Sequence, residues 1–169
     1  MSKLMLSIAA AGVALGAYPA AAEAALGPDA ASCRAGSTRP AILVNVSGFK
    51  NRAGRLRVQL YGSNPRDFLA KGKKLRRIDV PVTPSGPMSV CVAVPAPGTY
   101  AVAVRHDADA NGRSGWNDGG GFSRNPKISL VDLKPTLQEV AIPVGNGIKP
   151  VTVVLNYRRG LSIGPVASR

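Results

Sequence analysis

The stretch Arg55-Leu56-Arg57-Val58-Gln59-Leu60-Tyr61 constrains this chain more than any other, because apolar and polar side chains alternate through it almost without exception. Only a strand, with its period of two, puts Leu56, Val58 and Leu60 on one face and Arg55, Arg57 and Gln59 on the other. A helix would scatter the arginines around its circumference. The same alternation recurs at Ile42/Val44/Val46, Ile78/Val80/Val82, Val90/Val92/Val94, Tyr100/Val102/Val104, Val140/Ile142/Val144 and Val151/Val153/Leu155. Pro81 removes an amide donor and assigns the third run to an edge or bulge. Pro97-Gly98 reads as a tight turn joining the fourth and fifth runs into a hairpin, and Gly145-Asn146-Gly147 as the turn before the last. About seven strands predict an all-β, two-sheet sandwich.

With 169 residues there is room for one such domain. Lys3, the uncharged and mostly apolar run from Leu4 to Tyr18, and Ala20-Ala21-Ala22 form a signal-peptide pattern with cleavage before Glu23. The apolar run is short for a membrane span, so the mature chain is expected to lack a transmembrane helix. The predicted organisation is a signal peptide over 1–22, an amino-terminal segment over 23–40, the sandwich over 41–157 and a flexible basic tail over 158–169. Export to the periplasm or beyond places Cys33 and Cys91, the only two cysteines, in an oxidising compartment that favours a disulfide between them. Closing that loop is worth roughly 4 kcal/mol in chain-entropy terms.

The formal charge of +13 attracts anionic partners. Between Lys50 and Arg77 ten basic residues face a single acid, Asp67, a local excess of nine. Arg55, Arg57, Lys71, Lys73, Lys74, Arg76 and Arg77 are therefore the candidate surface for an acidic protein, an anionic lipid or another anionic envelope component. Such a strip also serves simply as a solvated face. Nucleic acid is not expected, since stacking aromatics are scarce and the chain is exported.

The run from His106 to Asp118 is the most informative for chemistry. Asp107, Asp109 and Asn111 occupy alternate positions, Gly112 permits a sharp turn, and Asp118 lies eleven residues after Asp107, the spacing of a calcium loop. Asp118 is one methylene shorter than the glutamate that ordinarily closes such a loop, and no helices flank it. In the alternative, preferred reading the carboxylates accept backbone N–H groups in Asx turns, and no cofactor is needed. Arg105 and Arg113 would then balance the acids. His106, the sole histidine, excludes a three-histidine zinc site and reads as a residue that ties the loop; Trp116 and Phe122 either cover the loop, the preferred reading, or line a small ligand groove. As a general base it would need an orienting aspartate and a nucleophile, for which Ser123 is the candidate.

Pro97-Gly98-Thr99-Tyr100-Ala101-Val102-Ala103-Val104-Arg105-His106-Asp107, then Asn111-Gly112 and Gly121-Phe122-Ser123-Arg124-Asn125, resembles DUF2141, a family of exported bacterial proteins of unknown function. The resemblance spans roughly Ile42 to Tyr157 and implies a transthyretin-like or immunoglobulin-like sandwich. It departs where Arg113-Ser114-Gly115-Trp116 replaces an acidic stretch and Gly119-Gly120 replaces a proline-containing step, which bears on cation binding more than on fold. Tyr157-Arg158-Arg159-Gly160-Leu161-Ser162 also resembles the terminal signature of transthyretin-like hydroxyisourate hydrolases. The extra Arg159, the inserted Leu161 and the lack of further histidines oppose that role. The expectation is a non-catalytic binding or structural module, with a calcium-stabilised module as the alternative and a hydrolase a distant third.

Overall fold

A computed structural model describes residues 24–166, so the expected signal peptide lies outside the described residues. The chain forms two packed sheets. In the smaller, β1 (Ala41–Ser47) lies between β4 (Met88–Ala93), antiparallel to it, and β8 (Ile148–Val154), parallel to it. The larger is built from β2 (Arg55–Tyr61), β3 (Arg76–Pro81), β5 (Gly98–Asp107), β6 (Gly119–Phe122), β9 (Asn156–Arg159) and β10 (Ser162–Pro165), in the order β10-β9-β6-β5-β2-β3. A seventh strand, β7 (Ile142–Val144), pairs with the start of β5. The fold is the predicted all-β sandwich, and no helix among the described residues is long and apolar enough to cross a membrane.

Leu56, Val58 and Leu60 are buried between the sheets against Ile42, Val44, Val46, Val90, Val92 and Val153. Their alternation thus does what period two requires: it dedicates one face of β2 to the core. Burying a side chain of this size contributes about 1.5–3 kcal/mol, which makes this layer the principal source of stability. A smaller cluster sits on the opposite, outer face of the large sheet, where Tyr61, Ala101 and Ala103 are covered by Phe68, Leu69, Leu137 and Val140. Asn64 turns the covering loop by accepting the Arg66 N–H and donating to Asp67.

Cys33 and Cys91 form the expected disulfide, with their Cα atoms 5.9 Å apart. Leu26 reinforces it by bonding to both Ser89 and Cys91 through the backbone. Asp29 accepts the Ala93 N–H and pairs with Arg76 on β3, so the amino-terminal segment straps the edge of one sheet to the edge of the other.

Four expectations need correction. β4 and β5 belong to different sheets and make no hairpin. Pro95 and Pro97 have no N–H with which to continue a ladder, and Tyr100 fixes the crossing by donating its hydroxyl to the Ala96 carbonyl. Val140 ends a short helix, α1 (Leu137–Val140), in place of opening a strand, because Thr136 and Glu139 form a capping box before it. Residues from 158 onward were expected to be a flexible tail, but as far as Pro165 they complete β9 and form β10, paired from Ser162↔Arg159 to Pro165↔Asn156. Finally, Arg57 is only 9% exposed and is not a wet residue, although it points away from the apolar layer as expected.

Candidate functional site

Register in the large sheet sets a polar row across its outer face. Asp79, Arg57, Arg105, Gly120 and Asn156 are successive cross-strand partners from β3 to β9. Two arginines directly opposite one another repel unless acids flank them, and here they do. Arg57 bonds Asp79 at 2.7 Å, and Arg105 bonds Asp107 at 3.1 Å. Burial raises the Asp79 pKa, but hydrogen bonds from Arg77 and Arg57 and their charges outweigh it and hold the carboxyl below its ordinary value.

This pairing changes the reading of the basic strip. Arg57 and Arg77 are engaged by Asp79, Arg76 by Asp29, and Lys73 lies 3.8 Å from Asp67. Arg55 donates to the Asp79 carbonyl. Lys71 and Lys74 lie in the loop before β3 and form no ion pair among the described residues. The seven residues are strung along the β2–β3 edge, Arg55 at the Pro81 end and Lys71 to Lys74 leading into the Leu60 end; much of their charge is met within the chain, and exposed pairs of this kind contribute little.

Beyond β5 the loop folds around its own side chains. Asp107 Oδ2 accepts the Gly112 N–H at 2.9 Å, which Gly112 can offer because it turns at φ +80°. Asp109 accepts from the Asn111 backbone, Asn111 from the Arg113 backbone, and Asp118 from Ala108 and Gly115. These are the Asx turns expected of the preferred reading. Arg105 supplies the expected compensation of the acids, and it also donates to Ser114 at 2.9 Å. The predicted cation-loop residues Asp107, Asp109 and Asp118 come together, each offering an oxygen within 4.8 Å of the others. Two buried atoms here have no hydrogen-bond partner among the described residues: Oδ1 of Asp107 and Nε of Arg105.

On the inner side of the same strand, His106 is fully buried. Its Nε2 lies 2.8 Å from the Ala53 carbonyl, which can only accept, so this nitrogen carries the hydrogen. Nδ1 then accepts from the Tyr157 hydroxyl at 2.7 Å. Burial pushes the Tyr157 pKa up to about 12, against the smaller opposing effect of the Lys50 N–H. Ser123, also buried, accepts the Val102 N–H and donates to the Val140 carbonyl. Both groups considered for proton transfer and nucleophilic attack thus have their hydrogen bonds spent on the fold.

Gly119 and Gly121 face the same interior. A Cβ on Gly119 would lie 2.5 Å from the Tyr157 ring, and one on Gly121 would lie 2.7 Å from both Val153 and the Val154 carbonyl. Gly120, between them, faces outward, where a Cβ would meet nothing closer than 3.8 Å. It leaves bare the floor of a groove of about 370 Å³ walled by Trp116, Phe122, Ile128, Leu130, Leu133 and Ile163. That volume is in the range of about 300–1,000 Å³ typical of small-molecule sites. Trp116 is 74% exposed, with the Arg158 guanidinium 3.4 Å above its ring centre. Of the two roles expected for Trp116 and Phe122, Trp116 takes the second and borders an open groove, and Phe122 packs on Phe68 as well as lining the groove. Beyond Trp116 and Phe122 the sequence gives little warning of this feature, because its walls come from the loop before β6, from β6, β9 and β10 and from the irregular stretch 126–136, none of which carries a clear period.

A two-sheet sandwich with a disulfide-strapped edge and an open groove on its outer face defines the class. The chain matches DUF2141, described as an uncharacterized protein conserved in bacteria, over residues 44–152, and it belongs to that family. No curated protein and no solved structure matches it.

Proposed function

We propose that this protein is a non-catalytic binding module of the periplasm or the secreted compartment, and that the groove over Gly120 is where it takes its ligand. The observation that carries this reading is the placement of exposed apolar side chains. Of the five large ones among the described residues, Trp116 and Leu133 line the groove, while Val131 and Leu161 adjoin the segments that build its walls. Apolar side chains exposed together in one concavity, as Trp116 and Leu133 are, mark interaction sites on soluble domains. The basic strip from Arg55 to Arg77 contributes a positive field that draws anionic molecules toward the surface, with Lys71 and Lys74 its least compensated members. Export is supported by the amino-terminal pattern and by the disulfide.

Trp116 is the only tryptophan in the chain, so its fluorescence reports the groove alone. Fractions of envelope extract should shield it from a soluble quencher, and Gly120→Val, which fills the floor, should abolish the shielding. Equal shielding in the variant would contradict the reading.

A second reading is a cation-stabilised module, favoured by the approach of Asp107, Asp109 and Asp118 oxygens to within 4.8 Å of one another and by the unpartnered Oδ1 of Asp107. Calcium is the fitting ion, since every donor is a hard oxygen. At a hundredfold excess over its dissociation constant it would stabilise the fold by about 2.7 kcal/mol. An unchanged melting temperature in millimolar calcium, with magnesium giving the same result, would remove this reading.

A further inference from the structure

The groove's chemistry narrows its ligand, on the premise that the groove is the binding site. Six of its lining side chains are large and apolar, and most of its polar ones are already engaged. Asp118 accepts from Ala108 and Gly115, the Ser114 hydroxyl accepts from Arg105, Asn156 donates to the Val154 carbonyl, and Arg158 Nε donates to Gly160. A sugar needs many free hydrogen-bonding groups, and this lining does not offer them. What it does offer besides apolar surface is positive charge. The terminal nitrogens of Arg158 stand at the Trp116 end, and Lys127 lines an adjoining depression that shares Ile128, Asn156 and Ile163 with the groove. The acid in the lining, Asp118, has both oxygens occupied by backbone N–H groups.

We infer that the groove binds a single-chain anionic amphiphile as a free molecule: a long alkyl chain laid over Gly120 between Phe122, Leu133 and Ile163, with a carboxylate head held by Arg158. The concave volume fits one small ligand and gives no reason to invoke a membrane surface.

Calorimetry on the disulfide-bonded mature protein with octanoate, decanoate and dodecanoate, each below its micellar concentration, tests this. One molecule should bind per chain, and affinity should rise about fourfold per methylene buried. Arg158→Gln should weaken dodecanoate about tenfold, the loss expected for one hydrogen bond to a charged group. The same substitution should leave the uncharged dodecyl glycoside unaffected. Gly120→Val, and independently Leu133→Glu at an exposed position, should abolish binding of both while the melting temperature holds. Affinity indifferent to chain length, or binding that survives both groove substitutions, overturns the inference. If every alkyl carboxylate fails while a glycan or peptide fraction shields Trp116 in a Gly120→Val-sensitive way, the amphiphile is wrong and the groove stands. If no fraction shields Trp116, the groove reading falls with it.

Discussion

His106 and Asp107 are neighbours on β5, yet strand geometry turns them to opposite faces and gives them opposite kinds of surroundings. The inward side chain has both nitrogens matched, one to Ala53 and one to Tyr157. The outward one keeps an oxygen with no partner, beside an arginine that keeps a nitrogen with none. A buried polar group that is fully paired specifies the fold, while an orphaned one has capacity left over. The comparison therefore separates the part of this polar region whose hydrogen bonds are all made from the part that leaves polar atoms unmatched.

The largest effect should come from breaking the inner half. His106→Ala strands the Tyr157 hydroxyl and the Ala53 carbonyl and opens a cavity beside Phe49, at a cost of about 3–5 kcal/mol. Denaturant melts measure it, and a loss under 1 kcal/mol would mean the pairing is incidental. Gly119→Ala should follow at about 1–3 kcal/mol, because its Cβ must displace the Tyr157 ring. The equivalent change at Gly120 should be nearly silent in the same assay.

Alkaline pH probes the same pair through Tyr157. Its folded pKa of about 12 lies above the ordinary value of 10.0, so the folded state holds this proton where the unfolded state releases it. The resulting stability is intact below pH 10 and is lost as pH rises toward 12. Tyr157→Phe, though less stable at neutral pH, should show a shallower alkaline decline in thermal melts; an identical slope would place the effect elsewhere. The smallest effect belongs to the outer half. Asp109→Asn at an exposed position should change stability by less than about 0.5 kcal/mol without added cation, yet remove any calcium-induced rise in melting temperature.

Much of the sandwich is legible in residues such as Leu56, Val58 and Leu60, because a strand that buries one face must alternate. β6 is not legible, since Gly119-Gly120-Gly121 has no side chains with which to display a period, and its reason for being glycine lies in Tyr157 and Val153, more than thirty residues away. β9 and β10 read as a basic tail because Arg158 and Arg159 look like solvent-facing charge, whereas Arg158 lies across Trp116. The alternation of Val140, Ile142 and Val144 predicts a strand one element too early, because the capping box at Thr136 and Glu139 holds Val140 in α1. In the candidate site, the aspartate cluster follows from local spacing. The groove depends on segments brought together only by the fold, and so do the acids Asp29 and Asp79 that take up the charge of the basic strip.

The most direct test of the division between a structural interior and a working outer groove is amide chemical-shift mapping of the labelled mature protein during titration with dodecanoate. The account predicts saturable shifts at Gly120, Ile163 and Leu133 and at the Trp116 indole N–H, with His106 and Ala53 unmoved. Shifts confined to the segment from Lys71 to Arg77 would contradict it and return the binding surface to the basic strip.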